Sequence, residues 1–277
     1  MNSTTELKPR TATANGRWWG ARALDWSELQ EPLFHPVYDA VFKRADLQAG
    51  TQYLDVGCGS GLAVQMAGKL GAKASGIAAA QNLLDIAKAR SPEADLRLGD
   101  LEELPFGDGR FDLVTGFNAF QYAGNPVRAL GEAKRVAKPG ASVVIVTWGP
   151  PDGMQAASLV AALRAVLPPP PPGAPGPFAL SDEATLRAFA AQAGLAPGEM
   201  LDVDSPWHYD SLDYGLRGLK SAGVGVRAIE HSGEDKVDEA HRQALAPFAQ
   251  ADGSYRIAAT FRCLMTRVLG NSRYPAG

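Results

Sequence analysis

From residue 51 onward, short apolar runs alternate with longer stretches whose apolar residues recur at the helical period. Tyr53, Leu54 and Val56 form a run of strand length that stops at three alternating glycines, Gly57, Gly59 and Gly61. Residues 62–70 then place apolar side chains at helical spacing, and Gly71 ends them. Residues 73–77 predict a second strand and 81–90 its helix, while 95–98 and 111–117 predict a third and a fourth strand. Asn125-Pro126 opens a helix, a capping side chain followed by proline at the first helical position. That helix runs to Val136 and Pro139-Gly140 stops it, before the strongly apolar fifth strand at 141–148. Strands alternating with helices predict a parallel sheet covered on both faces, with ligands beyond the carboxyl ends of its strands.

The flanking segments have a different pattern. Residues up to about Asn15 are polar and are expected to fray. Trp18, Trp19 and Trp26, followed by Leu33, Phe34, Val37, Tyr38, Val41 and Phe42, predict an amphipathic helix pair packed on the core, which can also cover a ligand. After the fifth strand, residues 152–167 read as helical, and Pro168–Pro172 with Pro175 and Pro177 as a stiff spacer. Ser181-Asp182-Glu183 opens another helix, with its acids at the positive end. Residues 201–204 suggest strand six, and 212–221, 224–231 and 234–248 three further helices. Asp252-Gly253 then turns the chain into a long last strand, 255–268.

A chain of 277 residues that is 45% hydrophobic can bury one full core and carry a lid. With 21% charged residues, a net charge of −3 and no basic run, nothing in it calls for a nucleic acid or a membrane surface. Cys58 and Cys263 lie far apart, which suits a reducing compartment. The start of the chain lacks a signal-peptide layout, and no apolar run approaches the ~20 residues of a membrane span. The four histidines are scattered, without metal-ligand spacing. A cytoplasmic enzyme acting on a small molecule is the expectation, and nothing specifies an oligomeric state.

The glycine turn narrows the chemistry. Gly57-x-Gly59-x-Gly61 is not the Gly-x-Gly-x-x-Gly of a pyrophosphate-binding dinucleotide turn, and Asp55 just before it suits a ligand bearing positive charge. Residues 53–61 resemble the first motif of the class I S-adenosylmethionine-dependent methyltransferases. The likeness extends to Trp148 and is greatest to the small-molecule branch that includes quinone-biosynthesis enzymes. The resemblance implies a Rossmann-like, seven-stranded, mostly parallel sheet whose last strand enters antiparallel between the fifth and sixth. It also implies helices on both faces, N-terminal helices and a helical lid insertion. The chain then divides into an N-terminal cap (1–46), a cofactor-binding α/β core (47–150), the remainder of the core with the proline-rich connector (151–210), a helical lid (211–250), and the last strand and tail (251–277). By the same resemblance Asp55, Gly57, Cys58, Gly59 and Gly61 pass the methionine part of S-adenosylmethionine. Gly99-Asp100-Leu101 clamps adenine, the carboxylate accepting from its amino group and the Leu101 N–H meeting a ring nitrogen. Asn118 approaches the methionine end, and Phe117 and Tyr122 wall the pocket.

One position departs from that family. Where it places Asp or Glu to accept both ribose hydroxyls, this chain has Ala78, then Ala79 and Ala80, with Gln81 or a water as the substitute. Losing a charge-assisted pair costs roughly 1.5–3 kcal/mol, about one to two decades in affinity. The leading expectation is methyl transfer to oxygen, nitrogen or carbon of a small metabolite, by in-line displacement with proximity and desolvation. Ala78 keeps a second reading open: the same fold turned to a cyclase, isomerase or ligand-binding task without methyl transfer. A nicotinamide-dependent reductase is disfavoured by the glycine spacing and by Pro126 four residues after Tyr122. Should the acceptor need a base, His208 between Trp207 and Tyr209 leads, then His35, His231 and Glu230.

Overall fold

The computed structural model describes residues 11–170 and 177–270. The N-terminal part is helical: α1 (Ala12–Gly20), α2 (Ala23–Asp25), a π turn (Trp26–Gln30), a 3-10 turn (Glu31–Phe34) and α3 (His35–Arg44). The core follows as β1 (Gln52–Val56), α4 (Leu62–Lys69), β2 (Lys73–Ala78), α5 (Gln81–Arg90), β3 (Asp95–Leu98), β4 (Phe111–Phe117), α6 (Pro126–Val136) and β5 (Ala137–Trp148). Then come α7 (Ala156–Ala162), α8 (Glu183–Gln192), β6 (Ala196–Asp204), β7 (Trp207–Tyr209), α9 (Leu212–Ser221), α10 (Gly223–Ser232), α11 (Glu234–Leu245), β8 (Tyr255–Ile257) and β9 (Thr260–Arg267).

Seven strands form one sheet in the order β3-β2-β1-β4-β5-β9-β6. β1 to β5 pair in parallel, and β9 runs antiparallel between β5 and β6, as the resemblance implied. Because side chains alternate across a strand, neighbouring residues fill opposite layers. Tyr53, Leu113, Val144, Val146 and Cys263 pack with Val37, Val41 and Phe42 of α3 and Ala63 and Ala67 of α4. Leu54, Val114, Val143, Ile145 and Leu264 pack with Leu130 and Ala133 of α6 and Leu186 and Ala190 of α8. With a buried layer on each side, β1 and β4 are locked centrally, and their carboxyl ends set the position of the site.

The predicted caps are in place: Asn125 accepts from the N–H of Arg128 at 3.1 Å and Asp182 from that of Thr185 at 2.8 Å. Three expectations are corrected. The polar residues from Thr11 to Asn15 are ordered, because Thr11 and Asn15 both bond the carbonyl of Tyr122 and α1 already starts at Ala12. The last strand is two: β8 pairs with β7 in a separate small sheet, and only β9 joins the main one. Ala258 and Ala259 separate them, their backbones held by Gln155, Ala156 and Ser205. Strand six begins at Ala196 rather than 201, with an irregularity after Pro197 that an edge strand tolerates. The spacer expectation falls partly on residues 171–176, outside the described residues.

α9, α10 and α11 pack on one another, and the cap reaches them through α1. Arg17 and Trp18 both bond the Glu230 carboxylate of α10, at 3.0 and 2.9 Å. Among the described residues no helix is long and apolar enough to cross a membrane.

Candidate functional site

β1 and β4 end side by side, one leaving through Gly57 into α4 and the other through Asn118. Gly57 has φ +83°, and a Cβ there would stand 2.6 Å from the Cβ of Ala119, so only glycine lets the two exits approach this closely. The N–H groups of Gly57 and Cys58 both donate to the Ile77 carbonyl at 2.9 Å, which ties the turn to the end of β2. Asn118 is left-handed at φ +52°, held by its N–H donating to the Val146 carbonyl at 2.9 Å. Non-glycine residues in this region concentrate at functional sites. Above the exits lies a cleft of about 960 Å³, counted out to its open mouth.

Buried acids mark one end of it. Asp55 is 2% exposed, and its carboxyl accepts from the Thr115 hydroxyl at 2.8 Å. With that proton committed, Tyr53 donates in turn to Thr115, also at 2.8 Å. Burial raises the Asp55 carboxyl to about 7, against the pull of Thr115 and with a further push from Glu31. Glu31 comes from the cap and is equally hidden. It accepts from the Ser60 hydroxyl, from Arg90 and from the N–H of Leu62 at the start of α4. Burial outweighs those partners, so its carboxyl too is raised. The indole Nε1 of Trp26 is buried without a hydrogen-bond partner among the described residues. That nitrogen and Glu31 Oε1 lie 3.4 and 3.5 Å from the point where a Cβ on Gly59 would stand. Two carboxyls resisting ionisation and a donor lacking its acceptor, all facing bare backbone, fit a ligand that brings both a cation and an acceptor group.

At the other end Asp100 and Leu101 border the same cleft. The N–H of Glu102 donates to Asp100 Oδ1 at 2.9 Å and fixes the carboxyl's orientation. Ala78, Ala79 and Ala80 line the wall between the two ends. Gln81 does not substitute for the absent acid there: its amide donates to Asp85 at 2.6 Å, on the exposed side of α5. Trp19, Trp26, Phe34, Tyr38, Phe117 and Tyr122 form an aromatic lining, with Trp19 edge-on to Trp26 (4.9 Å between centroids) and Tyr38 edge-on to Phe117 (4.6 Å).

The structure therefore gathers Asp55, Gly57, Cys58, Gly59, Ala78, Asp100, Leu101, Phe117, Asn118 and Tyr122 around one space. Gly61 and Gly99 border it no longer. Gly61 lets α4 pack on α5, its Cβ position lying 2.6 Å from the Cβ of Ala87, and Gly99 makes room for the Ile77 side chain. His208 and His35 do not border this cleft. In β7 the side chains alternate, so Trp207 and Tyr209 turn into the core and His208 turns out, its Nε2 3.0 Å from Asp210. His35 lies on the exposed face of α3, 3.1 Å from Asp39. His231 is exposed, and Glu230 is taken by α1. Residues without a site signal in the sequence are Thr11, Asn15 and Glu31, all at the cleft, and Arg90 behind it. Glu31 carried no signal beyond a polar position in an aromatic segment.

Comparison with known proteins agrees with this geometry. Residues 54–145 match the family described as "Methyltransferase domain". A ubiquinone biosynthesis O-methyltransferase of Xanthomonas oryzae pv. oryzae is 34% identical over 151 residues, 52% of this chain and 60% of that protein. The match thus spans less than two thirds of the relative's length. Among solved structures, the YcgJ protein from Bacillus subtilis shares the fold at 20% identity with a TM-score of 0.59, over 86% of this chain and 100% of its own. The cyclase SpnF shares it at 20% identity and a TM-score of 0.53, over 84% and 80%. Residues 54–145 thus match a methyltransferase domain, and the sheet order and glycine turn around that segment are those of the fold that the solved structures share.

Proposed function

We propose that the protein transfers a methyl group from S-adenosylmethionine to oxygen, nitrogen or carbon of a small-molecule acceptor. The observation that carries this reading is the single cleft with buried Asp55 and the glycine turn at one end and Asp100-Leu101 at the other. Asp55 and Glu31 suit the cationic groups of the methionine part, and the Trp26 N–H suits its carboxylate. Asp100 and the Leu101 N–H present an acceptor beside a donor, the pairing that an adenine edge satisfies.

When bound, the cofactor supplies a methyl group that is already electrophilic on a sulfonium. The chain's part is to hold the acceptor in line and to exclude water, for which the aromatic lining is suited. Aromatic faces also attract a sulfonium through their quadrupoles. Among the described residues no histidine borders the cleft, so no imidazole base is assigned. His208→Ala and His35→Ala are accordingly expected to leave turnover within about twofold of wild type; a loss beyond tenfold in either would return that residue to the site.

Calorimetric titration with S-adenosylmethionine and S-adenosylhomocysteine tests the reading. Saturable binding of one equivalent, with a rise in melting temperature by mass action, is expected. Absence of binding for both would contradict it. Ala78 supports a second reading, a relative that binds the cofactor without transferring methyl, and the cyclase of the same fold is an example of how far that scaffold diversifies. Binding without formation of S-adenosylhomocysteine across oxygen, nitrogen and carbon acceptors would favour it.

A further inference from the structure

We propose that Asn15 on α1 holds the ribose hydroxyls of the cofactor, in place of the acidic residue that the second strand lacks. This rests on the cofactor reading above. Ala78, Ala79 and Ala80 offer no side-chain acceptor, and Ala78 and Ala80 are 4% and 3% exposed. α1 lies directly on this turn: a Cβ on Gly16 would stand 2.3 Å from the Ala79 carbonyl oxygen, an approach that no larger residue permits. The helix is pinned at both ends, by Asn82 donating to the Gly20 carbonyl at 3.0 Å and by Thr11 donating to the Tyr122 carbonyl at 2.8 Å. Gly16 thus sets its neighbour Asn15 beside the alanine turn. Asn15, Thr11, Ala78 and Asp100 all border the one cleft.

The amide of Asn15 is oriented for the role. Its Nδ2 donates to the Tyr122 carbonyl at 2.8 Å and to the Thr11 hydroxyl at 3.2 Å. The Tyr122 carbonyl can only accept, and the Thr11 hydroxyl has already given its proton to that carbonyl, so the end of the amide facing both is the nitrogen. Oδ1 accepts from no described residue, and an acceptor is what a pair of ribose hydroxyls requires. A cap helix thereby supplies the contact that the end of the second strand lacks. An amide oxygen in place of a carboxylate makes this contact neutral, so its contribution is that of an ordinary hydrogen bond rather than a charge-assisted one.

The test is calorimetry on the full chain with S-adenosylhomocysteine and with its 2′,3′-dideoxy analogue. Wild type is expected to prefer the ribose form, and Asn15→Ala to weaken that ligand by about tenfold while leaving the dideoxy analogue's affinity unchanged. Gly16→Ala, which lifts the helix off the turn, is expected to erase the same preference. Equal losses for both ligands in Asn15→Ala would mean that the residue only anchors the helix, and no loss would mean that the ribose is held elsewhere; either overturns the assignment. Failure of wild type to bind S-adenosylhomocysteine at all would instead overturn the cofactor reading, and this assignment with it.

Discussion

Asp55→Asn is expected to weaken S-adenosylmethionine binding by about one to two orders of magnitude and to make the unliganded protein more stable at pH 8. The two effects share one cause. Among the described residues only the Thr115 hydroxyl solvates the buried Asp55, and its carboxyl is raised from 3.8 to about 7. A carboxyl raised in the folded state favours folding below its unfolded value, near 4, and loses that advantage as pH rises through 7. The shift corresponds to about 4 kcal/mol carried by the ionised form above pH 7. Asparagine has nearly the shape of the protonated acid and keeps an oxygen for Thr115, so it removes the burden and the charge together. Urea denaturation across pH should show wild type and variant converging near pH 4 and the variant pulling ahead toward pH 8. A constant difference across that range would contradict the account. For the same reason cofactor affinity should climb with pH up to about 7, since a cationic ligand binds the ionised carboxyl.

The second large effect is expected at Arg90, which closes the cap onto the glycine turn. Its guanidinium reaches Glu31, the Ser60 carbonyl at 3.0 Å and the Ser27 carbonyl at 2.8 Å. Glu31 is 2% exposed, so Arg90→Ala strands a buried carboxylate, and such a loss costs about 3–5 kcal/mol. Pairing the change with Glu31→Gln should recover most of it, because the charge that needed compensation is gone. A double-mutant cycle by chemical denaturation reads the coupling directly. A loss under about 1 kcal/mol in Arg90→Ala would contradict a buried pair and class the bridge with exposed ones. The single variant should also bind cofactor less well, since Trp26 and Glu31 ride on the segment that Arg90 holds.

The core was legible because its signals are local. Tyr53, Leu54 and Val56 ending in Gly57 state a strand and a turn within five residues, and Gly99-Asp100-Leu101 follows the third strand as directly. The cap was legible only as packing. Trp26, Phe34 and Tyr38 read as a helical stripe whether or not a ligand lies beneath them. Glu31 meets Ser60 and Arg90 across 29 and 59 residues of sequence, a proximity that no periodicity encodes. Asn15 is illegible for the same reason: it is polar, near the terminus, and held by a carbonyl 107 residues away. His208 lies away from the cleft for a different one. Aromatic neighbours suggested a pocket, but in a strand adjacent residues face opposite sides, so burial of Trp207 and Tyr209 sends His208 outward.

A crystal structure with S-adenosylhomocysteine tests the central claim most directly, that cap and strand ends together form one adenosyl site. The homocysteine end is predicted to lie among Asp55, Glu31 and the Trp26 N–H, with the adenine edge on Asp100 and the Leu101 N–H. A ligand bound at saturation anywhere else, or this cleft left without ligand density, would contradict it.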